Sequence, residues 1–208
     1  MKVFRVFLDI LFPPRANEAL VTSASSESLG VHARARVAGM HIAVLFPYRT
    51  RLVRACVLEA KFRDSERAQR LLGRALADYL LEWSAEREAF TEGAITLIPI
   101  PLSQERIRER GYNQTERIAR DAAQSTQSIA IDTGLLARPR NTLPQTSLGK
   151  AERRENLKGA FQAVKALDPD HTYIVFDDVL TTGSTLEAAM DALRDAGARR
   201  ICGLALAH

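Results

Sequence analysis

The sequence predicts an α/β fold with a mostly parallel, twisted sheet that is flanked by helices. Two observations predict it: short apolar runs of strand length alternate with longer segments in which apolar residues recur every three or four positions. Such runs are typical of strands that helices cover on both faces. The length of 208 residues, with 46% hydrophobic and 26% charged residues, fits one domain with an extension and excludes a largely disordered or multispan membrane protein.

In the N-terminal part of the chain, apolar residues are spaced less regularly than in the rest. Residues 1–14 form a short apolar segment that charged residues interrupt and a proline pair ends, so we expect a short amphipathic helix rather than a signal peptide. Residues 15–35 are small and polar and predict a loop. The continuous apolar run at 40–46 predicts a strand, and the apolar spacing at 51–60 predicts a helix.

The rest of the chain alternates more clearly. Asp64 or Ser65 can cap a second helix. Apolar residues at helical spacing mark the buried face of that helix: Ala68, Leu71, Leu72, Ala75, Leu76, Tyr79, Leu80 and Trp83. The remaining predicted elements are a strand at 94–100, a helix capped by Asn113, a strand at 173–176, a helix at 184–196 ended by Gly197, and a strand at 201–205.

Composition narrows the classes of function. The chain has 29 basic and 25 acidic residues, and the net charge of +4 fits a polyanionic ligand without choosing between phosphates and nucleic acid. Cys56 and Cys202 lie far apart among apolar neighbours and predict buried thiols in a reducing, cytoplasmic protein. No stretch approaches the ~18–20 apolar residues that a membrane span requires.

The segment 173–185 carries the clearest functional signal. Its apolar strand ends in Asp177 and Asp178, and a loop containing Gly183 opens directly into a helix. A helix N-terminus offers backbone N–H groups to a phosphate, and glycine lets the backbone approach it closely. The two carboxylates can accept hydrogen bonds from a sugar diol or hold Mg²⁺ and its waters, so the segment predicts a ribose 5-phosphate site. Further hydroxyl donors come from Thr181, Thr182, Ser184 and Thr185.

Three other known sequence motifs do not match this chain. The chain contains neither the GxxxxGK[ST] pattern of a Walker loop nor the GxGxxG pattern of a dinucleotide site. A phosphatase-type DxDx[TV] pattern fails because Leu180 stands two residues after Asp178. A purely structural interpretation is the alternative, in which the strand simply ends in two acids and the next residues cap a helix. This interpretation would suffice for an isolated Asp-Asp pair, but it explains the whole segment 173–185 less well.

The letters VFDDVLTTGST resemble the signature of type I phosphoribosyltransferases, which bind 5-phosphoribosyl pyrophosphate (PRPP). Residues 58–73, 99–120 and 138–161, together with the opening LDILFPPR, resemble the ComF family, the competence-protein and GntX-like branch of those transferases. The resemblance covers nearly the whole chain in the right order. It implies a type I phosphoribosyltransferase-like fold, with an N-terminal extension and hood region at 1–60 and the transferase-like domain at 61–208.

The chain departs from the family pattern after its proline pair. Family members usually carry a four-cysteine zinc module there, whereas this chain has no cysteine before Cys56. His32 and His41 alone cannot make a tetrahedral site. We therefore expect no zinc.

The resemblance implies that the protein binds PRPP and Mg²⁺ and transfers a phosphoribosyl group to an acceptor that the sequence does not identify. Asp177 and Asp178 would hold the ribose hydroxyls and, largely through PRPP, the Mg²⁺. The 5-phosphate would lie against Thr181, Thr182, Gly183, Ser184 and Thr185.

Basic and small residues elsewhere are candidates for the pyrophosphate. The candidates are Arg106, Arg110, Gly111 and Asn113 after the strand at 94–100, and Lys61 and Arg63 in a stretch that resembles a family motif near the hood. The planar guanidinium group of an arginine can donate two parallel hydrogen bonds to phosphate oxygens. The alternative is a solvated basic face, because Arg106 and Arg110 stand four residues apart on one predicted helix.

The segment 138–161 is long, polar and without apolar periodicity, which is typical of a lid. The resemblance implies a mobile hairpin here that closes over the reaction centre. Its candidate residues are Gln145, Arg153, Arg154 and Asn156, and each could instead be ordinary surface.

Three functions remain open at the level of sequence. The first is a Mg²⁺-dependent phosphoribosyltransferase, and the second is a PRPP-binding protein without turnover. The third is a protein of DNA uptake whose partners are DNA-uptake proteins or single-stranded DNA. The third has weak support, because the chain lacks the basic and aromatic stretch that single-strand binding uses.

Overall fold

The structure, a computed structural model, describes residues 14–25, 27–30, 35–36, 42–88, 94–126, 129–139, 157 and 159–208. Within this part of the chain the helices are α1 (Pro14–Ser23), α2 (Arg51–Phe62), α3 (Glu66–Glu88), α4 (Gln104–Arg110), α5 (Gln114–Ala123) and α6 (Ser184–Asp195), and a 3-10 turn lies at Glu27–Leu29. The strands are β1 (Ala35–Arg36), β2 (Ile42–Phe46), β3 (Ile95–Pro99), β4 (Ile129–Ile131), β5 (Leu136–Ala137), β6 (Gln162–Ala163), β7 (Thr172–Val179) and β8 (Arg200–Ala207).

Six strands form one sheet in the order β1-β2-β8-β7-β3-β4. Every neighbouring pair is parallel except β1 with β2, which is antiparallel. Strands β5 and β6 form a separate antiparallel pair. The predicted α/β fold with a mostly parallel sheet is therefore confirmed.

The neighbouring strands β3 and β7 have outgoing connections that run in opposite directions. After β3 the chain passes through α4 and α5 to β4 on one side, and after β7 it passes through α6 to β8 on the other. Residue Pro99 pairs with Phe176, so both strands end at the same edge of the sheet. Because the two connections diverge there, they leave a crevice beyond the carboxyl ends of the strands, where α/β proteins bind ligands.

Helices cover both faces of the sheet. Ile174 and Phe176 of β7 pack into one core with residues of α1, α2, α3 and α5. Tyr173 and Val175 point to the opposite face and pack with residues of α6. This alternation follows the two-residue period of a strand, and it places every second residue of β7 toward α2 and α5.

Most of the predicted elements are confirmed, with small differences at their ends. The Ser65 hydroxyl accepts a hydrogen bond from the Ala68 N–H at 3.3 Å and caps α3, while the Asn113 side chain accepts one from the Thr115 N–H at 3.1 Å and caps α5. The apolar face predicted for α3 is buried, with Trp83 half-buried against the same core. The last two strands are longer than predicted, because β7 continues through both aspartates and β8 reaches residue 207.

The prediction of a loop over residues 15–35 is wrong for the described part of that range. It contains α1 and the 3-10 turn, and Val21, Ala24 and Leu29 are buried in the core beside α2. A short helix with few apolar residues has little stability of its own, so its packing against α2 decides its structure. The amphipathic helix predicted for residues 1–14 lies almost wholly outside the described residues.

The predicted boundary at residue 60 falls within α2, and β2 from the predicted N-terminal region pairs with β8 in the main sheet. The division into a hood and a transferase-like domain stays a prediction. Cys56 is a buried free thiol, and burial, with the charge of Glu59, raises its pKa to about 12. Cys202 is half-buried, so the expectation of a buried thiol is confirmed for Cys56 and wrong for Cys202. Among the described helices, none combines the length and apolar character that crossing a membrane requires.

Candidate functional site

Two carboxylates occupy the carboxyl end of β7. Asp178 is 5% exposed, and Asp177 beside it is partly exposed. Asp178 lies on the same face of the strand as Ile174 and Phe176, toward α2 and α5. The Asp178 N–H donates a hydrogen bond to Asp177 Oδ1 at 2.9 Å, which holds the Asp177 side chain beside the backbone of Asp178.

Asp178 is held from three directions. Lys61 Nζ at the end of α2 lies 3.3 Å from Asp178 Oδ2, and Gln114 Nε2 at the start of α5 donates to the same oxygen at 2.8 Å. The Val179 N–H donates to Asp178 Oδ1 at 2.8 Å. These contacts bring together residues that are distant in sequence, and they place the predicted candidate Lys61 in the site.

The two carboxylates differ in their pKa. Burial alone would raise the pKa of Asp178, but the Lys61 ammonium and the hydrogen bond from Gln114 outweigh burial and lower that pKa. Burial, followed by the charge of Asp178, raises the pKa of Asp177 to about 7. One carboxylate is therefore firmly ionised, while its neighbour changes charge near neutral pH.

The hydroxyl loop 181–185 follows at the same edge of the sheet. Gly183 has a φ of 82°, a left-handed conformation that glycine adopts without strain, and it leads directly into α6. Thr182 Oγ1 lies 2.9 Å from Ser184 Oγ, so these hydroxyls line one side of the turn. Thr181 is exposed and Thr185 partly exposed, whereas Ser184 is buried. The predicted arrangement of a tight turn at a helix N-terminus is thus present, and it presents backbone N–H groups to an anion.

The segment between β3 and α5, which includes α4, approaches the same edge of the sheet from the neighbouring strand β3. Asn113 Nδ2 donates to the Ile100 carbonyl at 3.0 Å, and Gly111 with a φ of 84° ends α4. Tyr112 fixes this loop to the end of α2: its hydroxyl donates to the Ala60 carbonyl at 2.8 Å and accepts from the Asp64 N–H at 2.9 Å. Gly111 and Asn113 therefore shape the loop and start the helix.

Arg110 lies inside the site. Its NH1 donates to Gln114 Oε1 at 3.1 Å, and its guanidinium carbon lies 5.2 Å from the centre of the Phe62 ring. Burial, and then the charge of Arg106, lowers the pKa of Arg110, while Asp178 acts in the opposite direction. Arg106, one helical turn earlier, is therefore close enough to contribute to the same positive region.

Sequence reasoning missed Arg138 as a site residue. Its guanidinium carbon lies 5.2 Å from the centre of the Phe161 ring. Burial and then the charge of Arg106 lower the pKa of Arg138 to about 10, whereas Asp177 acts to raise it. Arg138 stands at the start of the polar segment 138–161 in the sequence. Its position in space depends on β5 and β6, which bring the two ends of that segment together.

The remaining candidates are Arg63 and the four residues of the predicted lid. Arg63 Nε pairs with Oε1 of buried Glu59, four residues earlier on α2, at 3.2 Å. The lid candidates lie outside the described residues: Gln145, Arg153, Arg154 and Asn156.

The arrangement suits a ligand that carries two anionic groups and a polar centre. The hydroxyl loop fits one anion, and the cations Lys61, which contacts Asp178, and Arg110, which contacts Gln114, fit the other. No group of three or more His, Cys, Asp or Glu side chains within the described ranges could hold a metal by itself. Mg²⁺ usually binds one or two carboxylates together with substrate phosphates, so the pair at 177 and 178 fits an ion that arrives with its substrate.

Comparisons with known proteins add little beyond this geometry. No protein-family model matches the chain, and no curated protein matches it. Among solved structures it is similar to a hypoxanthine phosphoribosyltransferase from Staphylococcus aureus, with a TM-score of 0.36 and 12% sequence identity. The alignment covers 66% of this chain and 61% of that chain.

Proposed function

We propose that the protein binds PRPP with Mg²⁺ where β3 and β7 end, and transfers the phosphoribosyl group to a nucleophilic acceptor. The observation that carries the proposal is the meeting of three features at one crevice: the carboxylates of 177 and 178, the hydroxyl loop that opens into α6, and the cations Lys61 and Arg110. PRPP has the matching parts, which are a ribose diol, a 5-phosphate and a pyrophosphate.

Each part of PRPP has candidate partners. The 5-phosphate would lie against residues 181–185, where backbone N–H groups and hydroxyls converge at the start of a helix. The ribose hydroxyls would meet the carboxylates at 177 and 178. The pyrophosphate would face Arg106, Arg110 and Lys61, whose positive charges suit its oxygens.

The proposed reaction breaks the bond between the anomeric carbon of the ribose and the pyrophosphate oxygen, and forms one from that carbon to the acceptor. The electron pair of the broken bond leaves with the pyrophosphate. Lys61 and Arg110 would stabilise the negative charge that develops on the leaving group, and the hydroxyl loop would hold the sugar in place. When bound beside the carboxylates at 177 and 178, Mg²⁺ would supply further neutralisation of the charge on the leaving group.

Thermal unfolding with and without PRPP and Mg²⁺ tests the proposal. A ligand at about 100 times its dissociation constant should add about 2.7 kcal/mol, which raises the Tm of a chain of this size by roughly 5–10 °C. The variant Asp177→Ala/Asp178→Ala should lose this shift. Asp191→Ala is the matched control, because Asp191 pairs on the surface of α6 with Arg194 and should keep the shift.

The absence of a shift in the wild-type protein at millimolar PRPP would refute the proposal, as would an equal shift in the folded double variant. Release of pyrophosphate in the presence of candidate acceptors then separates a transferase from a protein that binds PRPP without turnover. A salt-dependent affinity for single-stranded DNA would instead favour a role in DNA uptake.

A further inference from the structure

Asp178 belongs to a ring of contacts that joins four elements of the fold. Starting at Asp178 on β7, the ring passes through Gln114 of α5 and Arg110 of α4 to Phe62 of α2, which is next to Lys61. Lys61 then returns to Asp178 at 3.3 Å. One buried carboxylate therefore contacts one cation directly and a second cation through an amide.

The amide of Gln114 has a defined orientation in this ring. Its NH₂ group faces the Asp178 carboxylate at 2.8 Å, and its carbonyl oxygen faces the Arg110 guanidinium at 3.1 Å. A flipped amide would point an oxygen at the carboxylate and N–H groups at the guanidinium. Because Gln114 is 2% exposed, water cannot easily replace either contact, and the orientation of Arg110 is tied to that of Asp178.

The acceptor capacity of Asp178 is largely used within the protein. Oδ2 meets both Lys61 and Gln114, and Oδ1 accepts the Val179 N–H, which leaves little room for two ribose hydroxyls. Asp177 differs, because it is more exposed than Asp178 and neither Lys61 nor Gln114 is described in contact with it; its Oδ1 accepts the Asp178 N–H. The two neighbouring acids therefore have different capacities to bind a ligand.

We propose that Asp178 is a positioning residue, which holds Lys61 directly and Arg110 through Gln114 toward the pyrophosphate, while Asp177 is the carboxylate that meets the ribose diol. The proposal rests on the proposed function and assigns separate roles to the two acids of the motif. It makes the affinity for each part of the ligand depend on a different aspartate.

Titration calorimetry with two separate probes in the presence of Mg²⁺, inorganic pyrophosphate and ribose 5-phosphate, tests this division. Asp178→Asn keeps the shape of the side chain and removes the charge that holds Lys61. It should weaken pyrophosphate binding at least about tenfold and ribose 5-phosphate binding less than about threefold. Asp177→Asn should have the reverse pattern. A residue that merely stabilises the fold would not separate the two probes.

A double-mutant cycle tests whether Asp178 acts through Lys61. Adding Asp178→Asn to Lys61→Met should weaken pyrophosphate binding much less than adding it to the wild-type protein, because the cation that it positions is already gone. Gln114→Leu is the second variant, in case Asp178→Asn does not fold. It leaves the charges of Asp178, Lys61 and Arg110 in place and removes the two hydrogen bonds that link Asp178 to Arg110, so it too should weaken pyrophosphate binding and spare ribose 5-phosphate.

Two results would overturn the positioning role while leaving the proposed function intact. One is that Asp178→Asn weakens ribose 5-phosphate binding as much as Asp177→Asn does. The other is that Asp178→Asn and Lys61→Met weaken pyrophosphate binding additively. A wild-type protein that binds neither probe overturns the proposed function and the positioning role together. Asp191→Asn serves as the matched control and should bind both probes as the wild-type protein does.

Discussion

Replacing Asp177 with asparagine is expected to stabilise the folded protein above neutral pH. Burial, and then the charge of Asp178, raises the pKa of Asp177 from 3.8 to about 7. Between these values the folded protein keeps a proton that the unfolded chain releases. The free energy of unfolding should therefore fall as the pH rises through this window, and the cost of the buried charge is fully present above pH 7.

The magnitude follows from the difference between the two pKa values. About three pH units at 1.36 kcal/mol per unit correspond to roughly 4 kcal/mol above pH 7, and the change between pH 5 and pH 8 amounts to ~2–3 kcal/mol. Asparagine resembles the neutral carboxyl group in shape and does not titrate, so Asp177→Asn removes this cost. Asp178 does not interfere, because its pKa is lowered and the stability that it contributes is lost only as the pH falls below 3.8.

Urea unfolding of both proteins at several values between pH 5 and pH 8 measures the effect. The stability advantage of Asp177→Asn should grow by ~2–3 kcal/mol across this range. Asp191→Asn is the matched control, because it makes the same exchange at an acid on α6 that has 63% of its side chain exposed beside Arg194. An advantage for Asp177→Asn that stays constant or shrinks as the pH rises would refute the reasoning.

Two further predictions concern the packing that supports the site. Gly73→Ala should lower the free energy of unfolding by ~1–2 kcal/mol, because the added carbon would lie 2.6 Å from Asp121 Cβ on α5 and overpacking outweighs the gain in helix propensity. Urea unfolding beside Gly134→Ala, whose added carbon meets its nearest atom at 3.7 Å, checks this, and equal stabilities would contradict it. Tyr112→Phe removes the hydrogen bond to the Ala60 carbonyl and should cost ~1–2 kcal/mol and several-fold in pyrophosphate affinity. Unchanged values in urea unfolding and calorimetry would show that Tyr112 does not hold the end of α2 in place.

Local sequence patterns predicted the central part of the candidate site well. The strand, the turn at Gly183 and the start of α6 are consecutive in the chain, so short-range preferences determine their geometry. The caps at Ser65 and Asn113 are local in the same sense, and both were predicted. Local structure that depends only on residues adjacent in the chain can therefore be predicted from the sequence.

The contacts around the carboxylates could not be predicted in this way. Gln114 and Asp178 are 64 positions apart, and they meet only because β3 and β7 are neighbours in the sheet. Lys61 reaches Asp178 because α2 packs on the face of the sheet toward which Asp178 points. The order of strands and the choice of face depend on the whole fold, so a sequence pattern could suggest Lys61 as a cation but could not identify its partner.

Gln114 shows how the chemistry of one residue can decide such a contact. Its side chain must donate to a carboxylate and accept from a guanidinium at the same time, and among the common side chains an amide does this without a charge of its own. A glutamate there would repel Asp178, and a lysine or arginine would repel Arg110. The neutral amide therefore lets one buried negative charge orient a cation on the far side of the α5 N-terminus. The sequence around position 114 does not indicate this role of Gln114, because glutamine is also an ordinary residue for the first turn of a helix.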